Sequence, residues 1–426
     1  MAGRLVERAL PTRLGTSFRW LVAAVWATHL GDGLALAAGP LLVASQTHDP
    51  VLVALASLLQ QLPLLLFALY AGVVADRVDR RLLVVTANLF RVAVLVVLTT
   101  TLVTGHVGVP VVLASMFLLG VGETFEQVTG NALAPMLVHH DDLGVANARL
   151  MAGVLVAGQL VGPPVGAYLF AVAAPVPFLG QAALVTLGAV LVGRVTGLST
   201  AARSRQDGTA SSTAPHGART GRLRAEVAEG FRWLWHHAAV RTLALTILSF
   251  NVTFGAAWSV LVLYAIQRLH LGEVGYGLLT TSAAVGGLAG IACYGWISRR
   301  VSLANIMRVG LVIETLTHLA LALTTTPWVA MGVFVVFGAH AFIWGTTSNV
   351  VRQRSVPTDF QGRVSAVYQI GVYGGMVVGG GIGGVVARTW GVTAPFWFAF
   401  AGSAAILAVI WGQLGHIAHD RAAAEQ

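Results

Sequence analysis

The stretch "AGVVADRVDRR", residues 71–81, sets five charges into six residues between two long apolar runs: Asp76, Arg77, Asp79, Arg80 and Arg81. Elsewhere charge is scarce. The 426-residue chain is 56% hydrophobic and 10% charged, whereas a soluble protein of this length carries about 25% charged residues. Its apolar residues come in runs of about 20 or more, each long enough to cross a hydrocarbon core of about 30 Å. Such runs must be helical, because the bilayer core offers no water to backbone groups and a barrel would alternate in short strands. The reading is an all-α membrane protein with twelve transmembrane helices near 18–44, 50–74, 82–104, 108–137, 143–171, 175–195, 239–267, 273–297, 302–324, 327–353, 361–387 and 393–415. The run from Phe18 is too long for a cleaved signal and is read as a retained first span.

All 26 basic residues are arginine, and they are distributed unevenly. The N-terminal tail, the 75–81 loop, Arg149, the 194–241 connection, Arg299, Arg300, Arg352, Arg354, Arg363 and Arg421 fall on one side. The opposite loops hold only Arg268 and Arg388, while Arg91 and Arg308 lie inside spans. Positive loops stay cytoplasmic, so both termini are expected there. The arginine-only usage with abundant Ala, Gly and Val suggests a bacterial gene, and hence a bacterial cytoplasmic membrane. The net charge of +9 is thereby spent on topology, and no basic, aromatic-laced soluble module points to nucleic acid. The single cysteine, Cys293, excludes an internal disulfide.

Residues 196–238 are the one extended polar segment, Ser/Thr/Ala/Gly-rich at first and then "RLRAEVAEGFRWLWHH". Leu223, Val227 and Leu234 share a helical face there, which reads as an interfacial amphipathic helix before the seventh span or as a simple extension of that span. The chain divides accordingly into 1–195, a linker at 196–238, and 239–426. The two large parts repeat at an offset of 218: Asn131 with Asn349, Asp141 with Asp359, Gly144 with Gly362, Gly153 with Gly371, Gly162 with Gly380 and Gly166 with Gly384. Two pseudo-symmetric six-helix halves imply a transporter with its substrate site near mid-membrane.

The loop after the second span, with Gly72, Asp76, Arg77, Arg80 and Arg81, resembles the signature Gly-x-x-x-Asp-Arg-x-Gly-Arg-Arg/Lys of the major facilitator superfamily. Asp79 stands where that signature has glycine. The charges could latch adjacent helix ends in one conformational state; arginines alone would serve orientation, but acids contribute little to it. In the fifth span, "GVLVAGQLVGPPVGAYL" with Gly158, Gly162, Pro163 and Gly166 resembles the antiporter motif of proton-coupled exporters, Ala167 replacing its last glycine. Glycines at four-residue spacing also make a plain packing face. "EGFRWLWHHAAVRTLALT" and "GRVSAVYQ" resemble the enterobactin-exporter and macrolide-efflux branch.

Ionisable groups within spans are costly and mark function. Asp32, Glu123 and Glu126 are read as lining a central cavity, at least one of them exchanging a proton, with Arg91 as counter-ion or structural partner. Asn251 corresponds roughly to Asp32 in the second half and would hydrogen-bond a substrate. Glu314 and His318, one turn apart, could pair with each other and are read as structural. The arginine that the superfamily carries in its fourth span is absent. "HHDD", residues 139–142, is read as a loop cap rather than a metal site.

The function implied is proton-antiport export of small amphiphilic or cationic compounds, that is, drug or multidrug efflux, by a monomer in the lipid bilayer. Siderophore or metabolite export, or solute uptake, on the same fold stays open. A membrane-embedded enzyme would need a carboxylate–metal cluster or a nucleophile with its base, and none is found. ATP-driven export would need a phosphate-cradling lysine, and the chain has none. No cofactor is called for.

Overall fold

The computed structural model describes residues 12–196 and 228–413. Their secondary structure is helical throughout. The spans are α1 (Thr16–Gln46), α2 (Pro50–Ala75), α3 (Arg80–Val103), α4 (Val109–Gly130), α5 (His140–Val172), α6 (Val176–Gly193), α7 (Ala238–Trp258), α8 (Glu273–Arg300), α9 (Leu303–Leu323), α10 (Pro327–Ser355), α11 (Thr358–Trp390) and α12 (Ala394–Ile410). Among the described residues eleven helices are long and apolar enough to cross a membrane, and α12 is a shorter apolar one. Most of the 196–238 linker lies outside the described residues, as do Leu223 and Val227.

Three spans depart from the uniform helices expected. α4 ends at Gly130, and a turn precedes the short helix Ala134–Leu137, because Pro135 supplies no N–H to continue the ladder. α7 breaks after Trp258 and resumes as Leu261–Gln267. There Ser259 Oγ donates back to the Ala256 carbonyl at 3.1 Å. α5 passes through a π-helical segment, Gly153–Val161. The Gly162 N–H reaches back five residues to the Ala157 carbonyl, and the widened turn precedes Pro163 and Pro164, which have no N–H to give.

Residues 228–236 form a helix that stops at His237, so it is no extension of α7. It docks on the start of α11: Leu234 is buried with Val240, Val356 and Val364, and Trp233 stacks on Phe360. Arg363 pairs with Glu229 at 3.0 Å.

The described residues fall into two compact units. The first holds 12–48, 59–196 and 272–281, the second 49–58, 228–271 and 282–413. In the first, α1 packs on α5 and α6, and α3 on α4 and α6. In the second, α7 packs on α11 and α12, and α9 on α10 and α12. The same four pairings recur with each helix number raised by six.

Small residues carry the tightest of these contacts, as expected where lipid gives no hydrophobic drive between helices. A Cβ on Gly33 of α1 would stand 2.5 Å from the Gly158 carbonyl oxygen and 2.8 Å from the Gly162 Cα. One on Gly166 would meet the Leu34 backbone. In the second unit the α7 backbone is met instead by Gly375, Gly379 and Gly383. These stand 217 residues from Gly158, Gly162 and Gly166, not 218. The structure thus corrects the register of the repeat. A π-turn amounts to one inserted residue, so the offset falls by one across the π-segment of α5, while α11 runs through as ordinary α-helix.

Tryptophans mark the helix ends. Trp328 and Trp390 are exposed on the arginine-poor side, and on the other side Arg300 lies over Trp296 and Arg308 over Trp411. Amphipathic rings favour this level of a bilayer.

Candidate functional site

In the first unit the acidic residues gather around one guanidinium. Arg91 of α3 is 1% exposed. Its Nη2 donates to Asp32 Oδ1 of α1, and its Nη1 lies 3.4 Å from Asn88 Oδ1. Gln181 of α6 donates Nε2–H to the same Asp32 oxygen at 3.4 Å, and His29 Nδ1 stands 3.9 Å from Asp32 Oδ2. The side chain lies along α4 only because position 122 is glycine: a Cβ there would stand 2.5 Å from Arg91 Cγ. Glu123 and Glu126, half-buried on α4, interact electrostatically with Arg91 and Asp32. Glu126 Oε1 lies one turn along its helix, 3.6 Å from where a Cβ on Gly130 would be. The structure therefore brings together Asp32, Arg91, Glu123 and Glu126: three carboxylates and one arginine.

Asn251 sits in the second unit. Its Nδ2 donates to the Ile247 carbonyl at 2.7 Å, and the residue lines a cavity of about 350 Å³. Also on that wall is Glu314, whose partner is not chiefly His318. His340 of α10 donates Nε2–H to Glu314 Oε2 at 2.9 Å, while His318 Nε2 stands 3.5 Å from Oε1. His340 was missed because one histidine within an apolar run has no periodic partner; an ionisable side chain inside a span was the available signal.

The charged loop of residues 76–81 makes specific contacts. Arg80 Nη2 pairs with Asp76 Oδ1 at 2.9 Å, its Nε donates to the Ala75 carbonyl, and Nη1 lies 3.4 Å from Met136 Sδ. Arg81 donates to the Val195 carbonyl at 3.0 Å. Arg77 is exposed, and nothing crowds Gly72. Asp79 caps α3, its Oδ1 accepting from the Arg81 and Leu82 N–H groups at 2.9 and 3.3 Å. With φ of −55° it needs none of glycine's freedom, which explains its tolerance there.

At "HHDD" the cap reading fails for Asp142, which makes no capping hydrogen bond to the α-helical turn that starts at Leu143 and pairs with Arg13 at 3.3 Å. His139 and Asp141 form an exposed pair, and among the described residues no group of three or more His, Cys, Asp or Glu side chains is placed to hold a metal ion.

Fold and buried charges together define a multi-pass membrane transporter of the major facilitator type. Residues 10–423 match the transmembrane secretion effector family, and the chain belongs to that family. It is 26% identical over 398 residues to the multidrug efflux pump Tap of Mycolicibacterium fortuitum, covering 90% of this chain and 92% of Tap. Among solved structures it resembles a bacterial homologue of the iron transporter ferroportin in its inward-facing state, with TM-score 0.71 and 17% identity over 93% of this chain and 98% of that one. It also resembles the nucleoside transporter NupG, with TM-score 0.74 and 9% identity over 93% and 99%. At these identities the structural likeness speaks for the fold. These relatives are transporters, not enzymes.

Proposed function

We propose that this protein exports small amphiphilic or cationic compounds by proton antiport with alternating access. The observation that carries the reading is the buried Arg91, paired with Asp32 and within the electrostatic reach of Glu123 and Glu126. One guanidinium cannot balance three carboxylates in a poorly hydrated interior. At least one of them therefore exchanges a proton as the site changes exposure, and the acidic surplus favours cationic cargo. The likeness to Tap supports drug efflux over siderophore or metabolite export. Asp76 with Arg80 and Arg81 forms the conformational latch. Gly158, Gly162 and Gly166 hold α5 against α1, with Pro163 in the same turn of α5, so that Asp32 on α1 feels any change in α5. The chain acts as a monomer in the cytoplasmic membrane with both termini inside.

The test is accumulation of a panel of fluorescent cations and siderophores in cells with and without the protein. Lower accumulation of the cations, reversed when the proton gradient is collapsed, is expected. Loss of siderophore alone would move the assignment to the metabolite-export reading.

A further inference from the structure

Three arginines lie where α8, α9 and α12 end on the arginine-rich side, and among the described residues none of them pairs with a carboxylate. Arg299 and Arg300, both exposed, finish α8, and Arg308 is in the second turn of α9. Glu273 stands at the far end of α8, Glu314 lies deeper in α9 against His340, and α12 has no acid. The first half treats the matching loop differently. Asp79 caps α3, and Ser302 caps α9, its Oγ accepting from the Asn305 N–H at 3.3 Å. Three residues before each cap, the first half has Asp76, paired with Arg80, and the second has Arg299. Both acids of the first loop are thus replaced, one by a cation and one by a neutral cap. Indole rings accompany the arginines instead. Arg300 Cζ lies 4.3 Å from the Trp296 ring and Arg308 Cζ 5.5 Å from the Trp411 ring, and Arg308 Nη2 donates to the Trp411 carbonyl at 3.2 Å. Next to Arg308 begins an exposed apolar stripe, Val309, Leu316 and Leu323, which within a span faces lipid tails.

We infer that this rim is a binding site for an anionic phospholipid of the leaflet on the arginine-rich side. The acyl chains lie along the stripe of Val309, Leu316 and Leu323, and the phosphate meets Arg308 and Arg300. A guanidinium can rest its face on an indole and still offer N–H donors at its edge to phosphate. The exposed Trp296 and Trp411 rings belong at headgroup level, where amphipathic aromatics concentrate. Basic groups at this depth favour anionic headgroups, each arginine by roughly five-fold in affinity. A zwitterionic lipid offers the same tails without net charge, and a soluble anion offers the charge without the tails, so neither matches both parts of the surface. The site is separate from the acids around Arg91 and does not depend on what the protein carries.

The experiment follows thermal unfolding of the purified full chain in an uncharged detergent during titration with dioleoylphosphatidylglycerol. Dioleoylphosphatidylcholine and soluble glycerophosphoglycerol form separate arms. Wild type should be stabilised by phosphatidylglycerol at roughly a tenth of the concentration that phosphatidylcholine needs, and glycerophosphoglycerol should have no effect in that range. Arg300→Gln with Arg308→Gln should need roughly ten-fold more phosphatidylglycerol, with the response to phosphatidylcholine unchanged. So should Arg299→Asp with Ser302→Asp, which installs the acids of the first half and keeps a capping residue on α9. That second variant leaves the Arg308 bond to α12 in place, and it alone decides if the first does not fold. Orientation during insertion is over in the purified protein, so arginines that serve topology alone leave no lipid preference. Equal effect of the two lipids on wild type, or an unchanged phosphatidylglycerol response in the folded variants, would overturn the site. Stabilisation by glycerophosphoglycerol equal to that by the lipid would overturn the assignment to a phospholipid.

Discussion

Arg91 and Asp32 join α3 to α1 through one hydrogen-bonded ion pair, and the Arg91 Nε beside it has no partner. Such a pair is costly to break from one side, because the survivor stays charged and buried. Arg91→Gln should destabilise the protein by about 3–5 kcal/mol, and adding Asp32→Asn should recover part of the loss. Thermal unfolding in detergent, run as a double-mutant cycle, measures both. Equal and additive losses would mean that the two residues do not depend on each other.

The shifted register of the glycines gives a second expectation. A Cβ on Gly379 would strike the α7 backbone at Val252, whereas one on Gly380 would rest 3.6 Å from Ser259 Cβ. Gly379→Ala should therefore cost about 1–3 kcal/mol and Gly380→Ala well under that. The order of their unfolding temperatures checks it, and the reverse order would restore the 218-residue register.

The latch predicts a kinetic defect. The Asp76 side chain is 71% exposed, so its pair with Arg80 is worth about 0.2–1 kcal/mol. Asp76→Asn should slow transport a few-fold while cation binding is kept. If only orientation matters, Asp76→Asn will be silent, and replacing Arg77, Arg80 and Arg81 together will disturb insertion.

The twelve spans were legible because each apolar run is bounded by charge, Gly or Pro. The π-segment of α5 was not, since a single extra residue in a glycine-rich run leaves hydrophobic periodicity almost unchanged. The break after Trp258 was hidden as well, because it falls within an unbroken apolar run. At the site, Asp32, Glu123, Glu126 and Arg91 stood out by the cost of burying charge. That Arg91 chooses Asp32 depends on Gly122 clearing its path, a three-dimensional fact. The pairing of Glu314 with His340 spans 26 residues and two helices, where helical spacing suggested only His318.

Topology can be checked at two described loops. With Cys293 replaced by serine, His106→Cys should react with an impermeant maleimide in intact cells, and Val78→Cys only after the membrane is opened. The opposite pattern would invert the orientation drawn from the arginines.

The central claim is that the acids around Arg91 exchange protons for cargo. Its most direct measurement is proton movement in proteoliposomes, followed by a pH-sensitive dye after addition of a transported cation, comparing wild type with the Asp32→Asn, Glu123→Gln double variant. Wild type should move protons opposite to the cation. The double variant, reconstituted in equal amount, should move them at less than about a tenth of that rate, a loss of roughly 1.4 kcal/mol or more in the coupled step. Undiminished proton–cation exchange by the double variant would contradict the account.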